Sequence, residues 1–278
     1  MWKCIKFYED KELHPRFRSL LSAFQDCGFD RGHMAPAANH KETAETMWET
    51  FVLSNISPQV GKDFNRDYWA HFERFVDLLT HSCNDVYVMT GPLFLPVKTS
   101  NGYRMEHRMI GEPPGMMAVP THFFKVVLAE MTAGDSADSS ASREAVIGAF
   151  VLPNTPLRAD VPLTAFIVPL MALEEAAGLQ FFPGFLNADR RAKLDKAALA
   201  FQKWGRQQIK LKGFPRALLD FFQPRTPPDA LTEPEKVANS AVAQRLVAAS
   251  RVPSGASSDV KVMHLCDVFE CKLPAEDW

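Results

Sequence analysis

The chain has 278 residues, and 46% of them are hydrophobic, which is enough for one large domain or for a domain with an appendage. Its formal charge of −2 excludes the overall basic composition that is typical of nucleic-acid-binding proteins, so any cationic binding surface must be local. No apolar run approaches the roughly 20 residues that a membrane span requires, and we expect no membrane insertion.

The cysteines and the N-terminal residues bear on compartment and targeting. Five cysteines, an odd number and widely scattered, do not indicate a disulfide framework. Cys266 and Cys271 lie close together, but no second pair has the spacing of a zinc site. Met1 to Lys6 has the features of neither a signal peptide nor an Arg/Ser-rich transit peptide.

The first predicted helix carries one apolar stripe. Its apolar residues recur at spacings of three and four, which predicts a helix from Asp63 to Ser82 with Asp63 as the N-cap. Tyr68 and Trp69 are expected to pack in the core rather than to stack on bases. Before this helix, Phe51 to Leu53 is predicted as a short strand that leads into a turn.

Strands and helices are also predicted further along the chain. They are strands at Val86–Thr90, His122–Leu128 and Ala145–Leu152, a helix from after Pro169 to near Gly178, and a long charged helix at Asp189–Lys212. The stretch from Thr132 to Ser142 is interpreted as an exposed connection, because it contains no core-forming pattern. Strands that gather around a few helices, without regular βαβ alternation, favour the α+β class.

The last predicted helix is rich in basic residues, which we interpret as a solvated face rather than as a nucleic-acid footprint. These residues are Arg190, Arg191, Lys193, Lys196, Lys203, Arg206, Lys210 and Lys212. Prolines then break the pattern between residues 224 and 234. We therefore predict a domain at residues 1–222 and a partly disordered C-terminal extension at residues 223–278. The extension is expected to hold one short helix near Glu235 to Ser250, and Val262 to Trp278 has enough apolar residues to dock back.

The segment Asp30-Arg31-Gly32-His33 carries the strongest chemical signal. A histidine with a pKa near its ordinary value of ~6.5 is largely neutral at pH 7 and can act as a general base. Asn65 and Glu73 follow on the predicted helix, and an amide oxygen suits a hard cation such as Mg²⁺. A base, a neutral oxygen ligand and a carboxylate are what metal-assisted phosphodiester hydrolysis needs. Taken singly, each of the three is more often a structural or surface residue.

Glu73 lies eight residues after Asn65, which corresponds to about 12 Å along a helix. Helical side chains lean towards the N-terminus, so Glu73 can point back towards an ion at Asn65. At this separation an interaction through a bound water molecule is favoured over direct binding.

The chain resembles the DNA/RNA non-specific endonucleases of the ββα-metal class, in their mitochondrial endonuclease G branch. The resemblance starts with the run from Asp30 to His40 and covers roughly residues 5 to 185. Further blocks follow in the family's order: Phe51–Gln59, Phe64–Glu73, Thr90–Phe94, Val119–Val126, and Phe166–Leu170 with Ala177–Leu179. Such a series in one order is not expected by chance.

This resemblance implies a ββα-metal nuclease fold, with a central antiparallel or mixed sheet flanked by helices. It assigns His33 as the general base, Asn65 as the metal ligand and Glu73 as a carboxylate that acts on the ion through water. Arg31 and Asp30 match residues that shape the loop and the phosphate side of the site.

Further implications concern the rest of the site and the reaction. Asn55 and Gln59 match supporting polar positions. The implied cofactor is Mg²⁺, for which Mn²⁺ can substitute, and the implied substrates are DNA and RNA, cut to 5′-phosphate and 3′-hydroxyl ends. A homodimer and a mitochondrial location are also implied.

One departure from the family pattern leaves a second hypothesis open. The family commonly places a phosphate-binding arginine upstream of the Asp-Arg-Gly-His motif, where this chain offers only Lys3 and Lys6. Relatives normally carry a presequence and further strands before this point, so the N-terminus is expected to be shortened. Lysine lacks the bidentate fork of arginine. The alternative is therefore a catalytically weak nucleic-acid-binding protein that retains the nuclease fold.

Overall fold

A computed structural model describes residues 6–132, 143–209 and 260–274 of the chain. The irregular succession of strands and helices in these ranges confirms the α+β class. The elements are, in chain order, β1 (Asp30–His33), α1 (Ala44–Glu49), β2 (Ile56–Gln59), α2 (Tyr68–Leu79), β3 (Asp85–Leu93), β4 (Val97–Thr99), β5 (Gly102–Arg104), β6 (Met109–Ile110), β7 (Met117–Ala118), β8 (His122–Thr132), β9 (Arg143–Pro153), α3 (Leu170–Ala177), α4 (Ala188–Gln208), β10 (Lys261–His264) and α5 (Leu265–Val268). Within the described ranges, no helix combines the length and the apolar character needed to cross a membrane.

The central sheet has four strands in the order β10-β9-β8-β3. β8 pairs antiparallel with both β3 and β9, whereas β10 pairs in parallel with the outer edge of β9. The three predicted strands are therefore confirmed, and each is longer than its sequence pattern indicated. β8 and β9 are buried on both faces, which explains why their sequences are continuous apolar runs.

The two faces of this sheet belong to two apolar clusters. Phe123 and Val127 of β8 pack with Phe72 of α2 on one face. Phe124 and Val126 pack with residues of α3 and α4 on the other. Because successive side chains of a strand point to opposite faces, one strand contributes to both layers.

Helix α2 begins later than the periodicity predicts. It starts at Tyr68, and residues 61–65 form a separate turn in which Lys62 and Asp63 have non-helical backbone angles. Asp63 is not the N-cap, because its backbone has a left-handed φ of 62° and its N–H donates to the Asp67 carboxylate at 2.6 Å. The buried stripe continues through this turn, so spacing alone does not reveal the break. Tyr68 and Trp69 are buried in the core, as predicted.

The predicted strand at Phe51 to Leu53 is wrong. Val52 makes only an isolated bridge to Tyr8, and a 3-10 turn follows at Leu53–Asn55. The strand of this region is β2, because its residues have a continuous partner in β1. Pairing with a distant segment, rather than local propensity, decides the position of the strand.

Helices α3 and α4 confirm the two later helix predictions. Gly178 closes α3 with a left-handed φ of 65°, and the Asn187 side chain caps the start of α4. Arg191 does not belong to a solvated face, because it is buried and pairs with Glu174. The exposed basic residues of α4 include Lys193, Lys196 and Lys203, whereas Lys210 and Lys212 lie outside the described residues.

Residues 260–274 dock on the domain, as the apolar pattern of the C-terminal segment predicts. β10 extends the sheet, and Leu265 of α5 is fully buried in the core. Cys266 and Cys271 form a disulfide, so the inference drawn from the scattered cysteines was wrong for this pair. The predicted connection from Thr132 to Ser142 begins one residue too early, because Thr132 is the last residue of β8. The rest of that connection, the helix near Glu235 to Ser250 and the boundary at residue 222 lie outside the described residues and stay predictions.

Candidate active site

Two strands and a helix assemble the candidate site. β1 pairs antiparallel with β2, with Asp30 opposite Gln59. The chain leaves β2, passes through the turn at residues 61–65 and enters α2. The side chains of Asp30 on β1 and Asn65 on this turn are thereby in direct contact.

Gln59 fills the space that Gly32 leaves between the two strands. A Cβ atom at Gly32 would lie 2.0 Å from Gln59 Oε1, so the close approach requires glycine. Gln59 is fully buried, and within the described residues neither atom of its amide group has a hydrogen-bond partner. A buried polar group without a partner typically costs about 1–3 kcal/mol, so this position is arranged for an additional polar group.

His33 lies half-buried between two aromatic rings. Its ring centroid is 5.5 Å from that of Phe7 and 4.9 Å from that of Phe51. Burial lowers the pKa of His33 to about 4, so its ring is neutral at pH 7. Nε2 is buried and lacks a hydrogen-bond partner among the described residues. The ring is therefore neutral, but its pKa is not near the ordinary value expected from the sequence, and the lowered pKa makes His33 a weaker proton acceptor than a solvated histidine.

Asp30 connects Asn65 to a neighbouring arginine. Its carboxylate accepts a hydrogen bond of 3.0 Å from Asn65 Nδ2, and two of 2.7 Å from Nε and Nη2 of Arg66. The hydrogen bond from Arg66 is the main cause of the lowered pKa of Asp30, so this carboxyl group is ionised. Because the Asn65 nitrogen is bound to Asp30, its amide oxygen is the atom available for a cation.

Glu73 lies on α2 and interacts electrostatically with a buried lysine, Lys125. Burial of the Glu73 carboxyl group raises its pKa to about 7, whereas Lys125 and the Trp69 indole act in the opposite direction. Lys125 is only 1% exposed and donates a 3.0 Å hydrogen bond to Thr90 Oγ1. Its ammonium group lies 4.7 Å from the Trp69 ring centroid, and burial lowers the pKa of Lys125 to about 8.

Arg31 packs against aromatic rings, whereas Asn55 makes hydrogen bonds to the backbone. The Arg31 guanidinium lies 5.3 Å from the Phe7 ring and 5.6 Å from the Phe24 ring, and its Nε is buried without a partner in the described structure. Asn55 instead holds the loop after His33, because its side chain bonds both the N–H and the C=O of Ala35. Asn55 is thus a structural support, whereas Arg31 retains unsatisfied donor capacity.

Only some of the site residues predicted from the sequence are in direct contact with each other. Asp30 and Asn65 meet, whereas the side chains of His33, Glu73 and Gln59 make no hydrogen bond to that pair in the described ranges. Two residues at the site were not singled out from the sequence, Arg66 and Lys125. The available signals were an arginine directly after the proposed metal ligand and a lysine inside an apolar strand.

The donor set fits a hard cation that keeps most of its water ligands. Among the described residues, no group of three or more His, Cys, Asp or Glu side chains is placed to bind a metal. One amide oxygen, with a carboxylate further along α2, is typical of Mg²⁺ rather than of zinc. Arg31 and His33 lie on the same strand as Asp30, and a neutral imidazole and an arginine are side chains suited to hydrolysis of a phosphate ester.

Sequence comparison identifies similar proteins. The profile of the DNA/RNA non-specific endonuclease family matches residues 2–188. A nuclease of Syncephalastrum racemosum is 47% identical over 181 residues, which cover 63% of this chain and 54% of that protein. Mitochondrial nuclease 1 of Schizosaccharomyces pombe is 42% identical over 187 residues, with coverages of 67% and 56%. Human mitochondrial endonuclease G is 39% identical over 181 residues, with coverages of 65% and 57%. The chain thus spans about half the length of these relatives.

A solved structure has the same architecture. It is the crystal structure of an EndoG/EndoGI complex, described as showing the mechanism of EndoG inhibition. The matched chain is 41% identical in sequence and superposes with a TM-score of 0.59, over 68% of this chain and 72% of that chain.

Proposed function

The chain belongs to the DNA/RNA non-specific endonuclease family, and we propose that it is a metal-dependent endonuclease that hydrolyses both DNA and RNA. The ββα-metal fold expected from the resemblance is confirmed, with β1, β2 and α2 as its strands and helix. We propose Mg²⁺ as the cofactor, with Mn²⁺ as a substitute, because the available ligand is an oxygen.

One observation carries this proposal: buried polar atoms around the Asp-Arg-Gly-His segment lack partners in the described structure. They are Arg31 Nε, His33 Nε2 and both amide atoms of Gln59. In folded proteins such atoms are nearly always hydrogen-bonded. A phosphate group supplies acceptors for Arg31, and a water molecule supplies a donor for His33. The site therefore has the unsatisfied groups that a hydrated phosphodiester would complete.

Each of four residues would have a separate role in hydrolysis. A divalent cation at Asn65 would supply Lewis-acid stabilisation of the negative charge that develops on the phosphate. Asn65 would hold that ion through its oxygen, and Glu73 would orient the surrounding water. His33 Nε2 would accept the proton of the attacking water, and Arg31 would bind a phosphate oxygen. The water oxygen would bond to phosphorus as the bond to the 3′ oxygen breaks, and the leaving 3′ oxygen would take up a proton from water, which gives 5′-phosphate and 3′-hydroxyl ends.

Cleavage of supercoiled plasmid DNA and of purified RNA tests the proposal. We expect both substrates to be cut with Mg²⁺ and neither with EDTA. DNA ligase should reseal nicked plasmid without prior phosphorylation, since the nicks would carry 5′-phosphate and 3′-hydroxyl ends. Binding of both substrates without cleavage in Mg²⁺ or Mn²⁺ would instead support the catalytically weak binding protein.

Location and assembly are proposed by resemblance. Several relatives are named as mitochondrial nucleases, in fungi and in animals. We propose a mitochondrial location and a homodimer for the protein that contains this chain. Microscopy of the full-length gene product tests the location, and a purely cytosolic signal would contradict it.

A further inference from the structure

Arg66 holds both oxygens of Asp30 in a forked contact. Its Nε donates to Oδ2 and its Nη2 to Oδ1, both at 2.7 Å. This parallel pair of charge-assisted hydrogen bonds fixes the plane of the carboxylate as well as its position. Arg66 lies on the protein surface with its side chain 66% exposed, so core packing does not account for this arrangement.

The fixed carboxylate in turn determines which way the Asn65 amide faces. Oδ2 of Asp30 accepts the hydrogen bond from Asn65 Nδ2 at 3.0 Å. An ionised carboxylate can only accept hydrogen bonds, so it selects the NH₂ end of the amide and disfavours the oxygen. The Asn65 oxygen is thereby turned away from Asp30.

The backbone of Gly61 lies directly beside the contact between Arg66 and Asp30. A Cβ atom at this position would lie 2.7 Å from Arg66 Nη2 and 2.8 Å from Asp30 Oδ1. A side chain at this position would require the Arg66 guanidinium or the Asp30 carboxylate to shift from its place. The turn that carries Asn65 therefore begins with the residue that leaves room for the Arg66–Asp30 fork.

We propose that Arg66 is a positioning residue, which acts through Asp30 to orient the oxygen of Asn65 towards the metal. This inference rests on the proposed function. Arg66 then differs from an arginine that contacts the nucleic acid: its loss weakens metal binding, whereas loss of a phosphate contact weakens nucleic-acid binding in a salt-dependent way.

The first test uses the metal-free protein and needs no activity. The Asn65 side-chain amide signals are assigned in ¹⁵N NMR spectra by their loss in Asn65→Ala. In Arg66→Gln and Arg66→Lys, these signals should shift and exchange faster with water, because both variants lose the fork. Arg104→Gln is the matched control, since Arg104 is 68% exposed and pairs with one carboxylate, Glu106. Unchanged Asn65 signals in Arg66→Gln would overturn the proposal.

The second test measures Mn²⁺ binding by calorimetry in a His33→Ala background, where substrate turnover does not interfere. Arg66→Gln should raise the Kd for Mn²⁺ by about 10-fold, the lower end of the usual effect of a residue that supports a metal ligand. When Asn65 is already replaced by alanine, Arg66→Gln should raise the Kd for Mn²⁺ by only about twofold or less. The reason is that Arg66 acts on metal binding through the Asn65 side chain. Independent, additive effects would contradict the proposal.

A third measurement separates positioning from substrate contact. In the same His33→Ala background without metal, the salt dependence of oligonucleotide binding should be the same with and without Arg66→Gln. A decrease of about 1 in the log–log slope would instead assign Arg66 to a phosphate contact and overturn the proposal. Failure of the unmodified chain to cleave DNA would count against the proposed function alone, because the NMR result does not depend on cleavage.

Discussion

At the scale of single residues, burial rather than hydrogen bonding sets the ionisation of the two groups that would handle protons and water. His33 loses its charge because its ring is enclosed without a partner, and the pKa of Glu73 rises because its carboxyl group is removed from solvent. The positive charge of Lys125 lowers the pKa of Glu73 and so opposes the effect of burial. Burial thus lowers the pKa of the histidine and raises the pKa of the carboxyl group, and in both cases it favours the neutral form.

Loss of Asn65 should be more harmful than loss of Glu73. Asn65→Ala removes the proposed metal-binding oxygen, whereas Glu73→Ala removes a group that acts through water and should cost about 10–100-fold. The measurement is the nicking rate as a function of Mg²⁺ concentration for both variants. A larger loss in Glu73→Ala would show that Glu73 binds the ion directly.

Glu73 should also make the metal-free protein sensitive to pH. Its pKa is raised from an ordinary value of 4.5 to about 7, so the folded protein binds this proton more tightly than the unfolded chain does. The stabilisation from the protonated group is complete below about pH 4.5 and is lost as the pH rises through about 7. Glu73→Gln cannot ionise, and relative to wild type it should gain up to about 3 kcal/mol between pH 5 and pH 8.

Urea unfolding in EDTA at the two pH values measures this change. Glu175→Gln serves as the control, because Glu175 is exposed on α3. An equal stability difference between wild type and Glu73→Gln at both pH values would show that the Glu73 carboxyl group is well solvated.

For helices and strands, the periodicity of apolar residues predicts where regular elements lie. It does not predict contacts between residues that are far apart in the sequence. The apolar runs of β8 and β9 and the stripe of α2 are visible in the sequence because each repeats over two or more turns or pleats. The turn at residues 61–65 precedes α2, but its buried Phe64 continues the apolar stripe of that helix, so the stripe does not reveal where the helix begins. The Arg66–Asp30 contact and the hydrogen bond from Lys125 to Thr90 join residues that lie far apart along the chain, so the local sequence can draw attention to Arg66 and Lys125 but does not indicate their partners.

The packing between β1 and β2 gives a prediction at this scale. Gly32→Ala would place a Cβ atom 2.0 Å from Gln59 Oε1, and Gln59 is fully buried and cannot move into solvent. We expect a loss of about 1–3 kcal/mol in the free energy of unfolding, as is typical of overpacking. Gly115→Ala is the control, because the nearest atom there is the Leu20 Cδ1 methyl at 3.1 Å. Equal, small losses in urea unfolding would mean that β1 and β2 separate easily.

At the scale of the whole molecule, the last described segment is part of the folded unit. β10 extends the central sheet, Arg190 donates a 2.8 Å hydrogen bond to the Val260 carbonyl, and Leu265 fills the core. The family profile matches residues 2–188, so nearly all of α4 and this whole segment lie outside the matched range. A strand contributed from so far along the chain is a non-local pairing, which explains why the sequence indicated docking but not the strand itself.

Leu265→Ala tests this view of the C-terminal segment. Leu265 is fully buried, so its truncation should lower the free energy of unfolding by about 2–5 kcal/mol. Val268→Ala on the same helix is the matched control, because Val268 is 42% exposed and should change stability by about 0.5 kcal/mol or less. A similar small effect of both changes would indicate that the segment contributes little to the domain.

Assembly is a second property of the whole molecule. Several large apolar side chains are exposed, among them Tyr103, Met105, Met109 and Met116, which is compatible with a subunit interface. We expect light scattering to give the mass of a dimer at micromolar concentration. A monomer mass under those conditions would contradict the proposed homodimer.

His33 is the proposed general base of metal-dependent hydrolysis, and the plasmid-nicking rate of His33→Ala relative to wild type measures its contribution. Loss of a general base typically costs about 10²–10⁴-fold, so the nicking rate in Mg²⁺ should fall by that factor while DNA binding is retained. The two proteins are purified identically, which controls for contaminating nucleases. A rate for His33→Ala within about threefold of wild type would remove His33 from the mechanism and contradict the account.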